Sequence, residues 1–341
     1  MRLTIRNLPR NAALALLALL LAFTADARAV TMAWSSVGNP SNAPDPATGS
    51  LYGAVGYAFS IGTYDVTNSQ YAEFLNAKDS TGTNTLGLWN FLMSQVDRGF
   101  GLSVGGIEFI SGNPDGEKYQ VDGGFEQFPV SRTNWFDAIR FANWMNNGQG
   151  SGSTETGAYT ILGGTPTPSQ ANSITRNLGA TIVIPSENEW YKAAYFNPAT
   201  NSFFQYPTSG NSVPIASPPT TLANHVNASG GSLGHITDVG AYAGTTSPSG
   251  AFDMGGNVDQ WNDTLVGGSL RGFRGGSFVE LVSDMRSSFR QISDPANQQL
   301  SGGFRVANIP TGYVPEPSSL ILAGLGIVGL LALSWRRRKI A

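Results

Sequence analysis

Apolar and polar positions along this chain alternate in short bursts, not in long periodic runs. Residues 57–61, Tyr-Ala-Phe-Ser-Ile, alternate as a strand does. Thr67 and Gln70 then form a capping box. Tyr71, Phe74 and Leu75 follow at helical spacing, which predicts a helix to about Ala77. A second helix opens at Thr133 or Asn134, with Asp137 placed to serve its first turn. Trp135, Ala138, Ile139, Ala142 and Met145 make one apolar stripe on it, ending at Asn146-Asn147-Gly148. A third helix follows the strand at 180–184. Pro185 and the box of Ser186 and Glu189 start it, and Trp190, Ala193 and Ala194 form its inner face. Past Tyr195 no long periodic segment occurs. Glycines and short apolar clusters alternate through Phe304, which predicts short strands joined by loops. Residues 30–56 read as a lead-in, loose over 30–50 where Pro, Asn, Ser and Gly dominate, and there is no internal repeat.

The two ends follow another pattern. A basic stretch from Met1 to Arg10 precedes an apolar run over 12–23 and then Ala27-Arg28-Ala29. A cationic start, an apolar core too short to span a bilayer and a small-x-small site predict a signal peptide over 1–29, with the mature chain beginning near Val30. At the far end, Val314-Pro315-Glu316-Pro317 is followed by an apolar stretch over 318–333 and by Trp335-Arg336-Arg337-Arg338-Lys339. That stretch is at the short end of a transmembrane span, and its terminal cations would stay in the cytoplasm. Pro-Glu-Pro, one span and a basic tail together resemble the PEP-CTERM sorting signal of Gram-negative bacteria, here over 310–341. The resemblance implies recognition by an exosortase, removal of the tail, and delivery from the inner membrane to the cell surface or extracellular matrix. A plain C-terminal membrane anchor is the alternative.

Composition narrows the class of the remaining chain. Only 13% of residues are charged, about half the usual share, while 41% are hydrophobic and 11% aromatic. Such a chain builds a core, so it is a loop-rich globular domain and not a disordered one. A net charge of −3 offers no basic field, which excludes nucleic acid as a partner. There is no cysteine, so no disulfide holds the loops and packing or bound ions must do so.

Six blocks recur in a telling order. They are Tyr64-Asp-Val-Thr-Asn-Ser-Gln-Tyr-Ala-Glu-Phe-Leu-Asn76, Pro129-Val-Ser-Arg-Thr-Asn-Trp135 with its helix, and Ile184-Pro-Ser-Glu-Asn-Glu-Trp190. Then come Phe252-Asp-Met-Gly-Gly-Asn-Val-Asp-Gln-Trp261, Arg274-Gly-Gly-Ser277 and Gly303-Phe-Arg-Val-Ala307. In this order they resemble the signature blocks of the formylglycine-generating, or sulfatase-modifying factor, enzymes over 57–309. The resemblance implies a C-type-lectin-like α+β fold with little regular structure and bound calcium. It places calcium ligands at Asp253, Gly256, Val258 and Gln260, where hard oxygens at this spacing can wrap the ion in a glycine turn. A tight turn without an ion, Trp261 buried behind it, is the other reading. The resemblance puts a second site at Asn224 and the carbonyl of His225, with no acidic partner identified. Among the arginines, Arg274 and Arg305 are expected to pair inside with carboxylates such as Glu187 or Glu189. Arg286 and Arg290 are expected at a ligand groove with Trp261, Phe278 and Glu280.

Family members with oxidase activity hold copper through a cysteine pair after the Gly-Gly-Ser element. Here Gly275-Gly276-Ser277 runs on to Phe278, Val279 and Glu280, so no copper is expected and no catalytic residue is assigned. Three functions of different class remain. A non-catalytic surface module would bind a glycan or peptide, with Tyr242, Trp261, Phe273, Phe278 and Phe289 as platform residues. A metal-dependent oxidoreductase of the non-haem iron type would need His225, His235 and a carboxylate such as Asp238. A structural matrix protein is the third.

Overall fold

The computed structural model describes residues 29–95, 104–231 and 233–311. The expected leader, save Ala29, and the apolar C-terminal stretch lie outside the described residues. Among the described residues, each of the three α-helices starts at the cap its sequence carries. Thr67 accepts from the Gln70 amide while the Gln70 side chain accepts from the Thr67 amide, opening α1 (Asn68–Lys78). Asn134 and Asp137 do the same for α2 (Trp135–Asn146), and Ser186 and Glu189 for α3 (Glu187–Tyr195).

The strands are short. In chain order they are β1 (Trp34–Val37), β2 (Phe59–Gly62), β3 (Ile107–Phe109), β4 (Tyr119–Val121), β5 (Ile182–Val183), β6 (Phe196–Asn197), β7 (Ser202–Phe203) and β8 (Ile215–Ala216). Then follow β9 (His225–Val226), β10 (Asp259–Val266), β11 (Leu270–Arg274), β12 (Gln291–Ser293), β13 (Gly302–Gly303) and β14 (Ala307–Asn308). One four-stranded sheet runs β1-β2-β14-β5, antiparallel throughout. The other runs β12-β11-β10-β13, with only β10 and β13 parallel. The fold is mixed α+β with few helices, as the sequence predicts.

Aromatic rings join the helices to the chain between the sheets. Tyr71 and Phe74 of α1, Phe141 and Trp144 of α2, and Phe304 pack with ring centroids 5.3–6.3 Å apart. Two stretches differ from expectation. The lead-in is not loose, because Trp34 to Val37 pair along β2 and Asp45 caps a 3-10 turn at Pro46–Thr48. The second difference is β10, eight residues long, whose buried positions include Asp259, Gln260 and Asn262 and so hide the usual alternation.

Four buried arginines replace covalent ties in a chain without cysteine. Arg140 pairs with Glu155 at 2.7 Å, Arg274 with Glu187 at 2.7 Å and Arg305 with Asp65 at 3.1 Å. Arg176 bridges Glu189 at 2.7 Å and Asp263 at 2.6 Å.

Candidate functional site

The turn that ends β11 sets the site. Gly275 and Gly276 take φ of 108° and 68°, a region L side chains rarely adopt, and a Cβ on Gly276 would stand 3.3 Å from Met285. The chain so folded tucks Ser277 inside, where its hydroxyl donates to Glu280 Oε2 at 3.1 Å. Gln291, on the outer strand β12, donates from Nε2 to Glu280 Oε1 at 2.5 Å. Asp259 opens β10 and brings its buried carboxyl into contact with that of Glu280. Its Oδ2 accepts from Ser301 at 3.1 Å, while its buried Oδ1 has no donor. Burial, and then the charge and contact of Glu280, hold the Asp259 carboxyl well above its ordinary range. The cluster offers oxygen atoms only. Around it, Val279, Leu281, Phe289 and Ile292 are 41%, 60%, 37% and 47% exposed, which makes them a surface feature and not core.

Several residues expected at a groove lie elsewhere. Trp261 is buried, donates to the Thr133 carbonyl at 3.1 Å and packs its ring 3.8 Å from Phe273, itself buried. Phe278 is enclosed by Val104, Ile236 and Val258, and Tyr242 is buried with its hydroxyl on the Ser217 carbonyl. Both faces of β10 are covered from Asp259 to Asn262, which buries Trp261, while segments distant in the chain enclose Phe278 and Tyr242. Arg290 points inward as well, 2.6 Å from the Glu187 carboxylate that Arg274 also binds. Arg286 is exposed and donates to the Tyr206 hydroxyl at 2.7 Å. Phe289 and Glu280 remain at the surface face. Arg305 pairs with Asp65 and not with Glu187 or Glu189, because those carboxylates are taken by Arg274 and Arg176. Asp259 escaped sequence reasoning, though a signal existed: it lies two residues before Trp261 on a strand and so shares its buried face.

Two of the donors expected around calcium, Asp253 and Gln260, hold other partners. Gln260 Oε1 accepts from Trp190 Nε1 at 2.7 Å and from Arg305 Nε at 2.6 Å. Asp253, at φ 53°, turns its carboxylate to the Gly240 amide at 2.6 Å, and its carbonyl accepts from Gln260 Nε2 at 2.6 Å. The Arg305 guanidinium also donates to the carbonyls of Gly62 at 2.8 Å and Phe252 at 3.0 Å. A cation on Gln260 Oε1 would face the fixed charge of Arg305, which already takes that oxygen. In the other expected set, Asn224 Oδ1 accepts from Thr208 at 2.6 Å, and His225 Nδ1 is 2.8 Å from Ser217 Oγ. His235 Nδ1 meets the Ile236 carbonyl at 2.7 Å, and Asp238 is exposed. Among the described residues, no three His, Cys, Asp or Glu side chains gather as a metal-holding group.

Residues 53–309 match the model of the sulfatase-modifying factor enzyme 1-like domain, and residues 314–339 the PEP-CTERM protein-sorting motif. That motif implies export through the membrane with exosortase-dependent sorting. Hercynine oxygenase of Mycobacterium tuberculosis is 26% identical over 269 residues, covering 73% of this chain and 52% of that protein. Hercynine oxygenase of Mycolicibacterium smegmatis is 25% identical over 279 residues, covering 73% and 53%. The chain thus spans about half the length of the curated relatives it matches. Among solved structures, CarF aligns over 82% of this chain and 99% of its own, at 20% identity and a TM-score of 0.49. PvdO from Pseudomonas aeruginosa aligns over 82% and 93%, at 18% identity and 0.44.

Proposed function

Because the chain belongs to the sulfatase-modifying factor enzyme 1-like family, we propose that it is an exported, non-catalytic binding module of the cell surface or its matrix. One observation carries the reading. Beside Ser277, where copper-binding members carry cysteines, this chain sets the carboxyls of Glu280 and Asp259 in contact. A soft copper ion demands thiolate, and hard carboxylate oxygens do not replace it. Val279, Leu281, Phe289 and Ile292 are exposed close in the chain to Glu280 and Gln291, as is Arg286. Apolar side chains beside hydrogen-bonding ones suit the ring faces and hydroxyls of a glycan, or a peptide. The exported protein is therefore expected to bind on a glycan or peptide array, and Leu281→Ala with Phe289→Ala to weaken that binding at least about tenfold. Absence of any ligand together with turnover of a substrate would reject the reading.

Likeness to the hercynine oxygenases favours a second reading, a metal-dependent oxidoreductase using His225, His235 and a carboxylate. Stoichiometric iron or copper in the purified protein, lost on His235→Ala, would establish it; metal-free protein ends it.

A further inference from the structure

We propose that Asp259, Glu280, Ser277 and Ser301 form a site for a hard divalent cation, calcium being the best match. The four side chains come from separate segments: the start of β10, the loop after β11, and the residue before β13. Their polar atoms meet in one place, with Ser277 Oγ 3.1 Å from Glu280 Oε2 and Ser301 Oγ 3.1 Å from Asp259 Oδ2. Every donor is oxygen, the preference of calcium and magnesium.

Charge supplies the next step. Two carboxyls in contact do not both ionise unless a cation lies between them; otherwise one keeps a proton. Among the described residues, no lysine or arginine forms an ion pair with either one. Asp259 is 3% exposed, and its Oδ1 accepts from no amide or hydroxyl, an arrangement that costs free energy unless a proton shared with Glu280 or a cation faces it. A dication would balance both charges and engage Oδ1 as well as the two hydroxyls. Calcium fits better than magnesium, because it accepts an irregular shell of six to eight oxygens whereas magnesium demands a near-ideal octahedron. The site is separate from the Asp253 carbonyl and Gln260 Oε1, which accept from Arg305. It is also independent of what the outer face binds.

The test uses the mature exported protein, stripped with chelator and titrated with calcium chloride by calorimetry and thermal melting. One site is expected, with a Kd on the order of 10⁻⁴ to 10⁻³ M, as in extracellular modules, and with a rise in melting temperature. Glu280→Gln serves as the main variant because Glu280 is only half-buried and the amide keeps the bonds to Ser277 and Gln291. It should melt no lower than the parent without calcium, since it removes the repulsion, yet lose at least about tenfold in calcium affinity. Asp253→Asn, which tolerates the left-handed φ there, should bind calcium as the parent does. The proposal is overturned if calcium gives neither heat nor a melting shift, as a shared proton alone would. It is overturned equally if Glu280→Gln responds unchanged, or if Asp253→Asn abolishes the response.

Discussion

Asp65 is 1% exposed, neither of its oxygens accepts a hydrogen bond, and its one partner is the Arg305 guanidinium at 3.1 Å. Burial raises its pKa, Arg305 opposes the rise and the Asp253 charge adds to it, leaving it at about 7. Folding therefore makes this carboxyl bind a proton that the unfolded chain, at the ordinary 3.8, releases. The sign follows from linkage: the stability it contributes is complete below pH 4 and is lost as pH climbs through 7. Between pH 5 and pH 8 the loss amounts to about 2 kcal/mol. Melting temperature should fall across that interval, and Asp65→Asn should flatten its share of the fall. An unchanged pH profile in the variant would contradict the assignment.

At the level of elements, stability concentrates in the caps. Asn134 closes the first turn of α2, a helix whose residues from Trp135 to Trp144 are all buried, so the cap anchors the core itself. Asn134→Ala should lower unfolding free energy by about 1 kcal/mol, read from the urea midpoint; a neutral variant would mean that tertiary packing alone holds the turn. These boxes also explain what the sequence could reveal. A cap is a relation between residues three apart, and all three helices were legible from it. The edge strand β1 was not, because Ser35 and Ser36 pair with β2 through backbone groups that any sequence offers. The Gly-Gly-Ser turn and Glu280 were visible as a missing cysteine site. The contact of Glu280 with Asp259 was not, since only tertiary folding sets β10 beside that loop. Trp261, Phe278 and Arg290 were misplaced for the same reason: residue type suggested a groove, while the neighbours that enclose them come from distant segments.

For the molecule as a whole, the proposed reading sets the family's scaffold apart from its copper chemistry. The framework of the family is present from residue 53 to 309, and Glu280, three residues after Ser277, offers oxygen in the segment where its oxidases carry sulfur. The purified exported protein, supplied with copper, oxygen and a cysteine-containing peptide, is expected to leave the thiol intact in a mass-spectrometric assay. Formation of an aldehyde there would defeat the reading.

The buried guanidinium groups of Arg176, Arg274 and Arg305 tie together segments far apart in the chain, as cystines do in many exported domains. Unlike a cystine, such a clasp needs no oxidant to close and no isomerase to correct it. A polypeptide threaded across a membrane in extended form can thus acquire its ties on the far side by diffusion alone, and heat can undo and restore them repeatedly with reductant present.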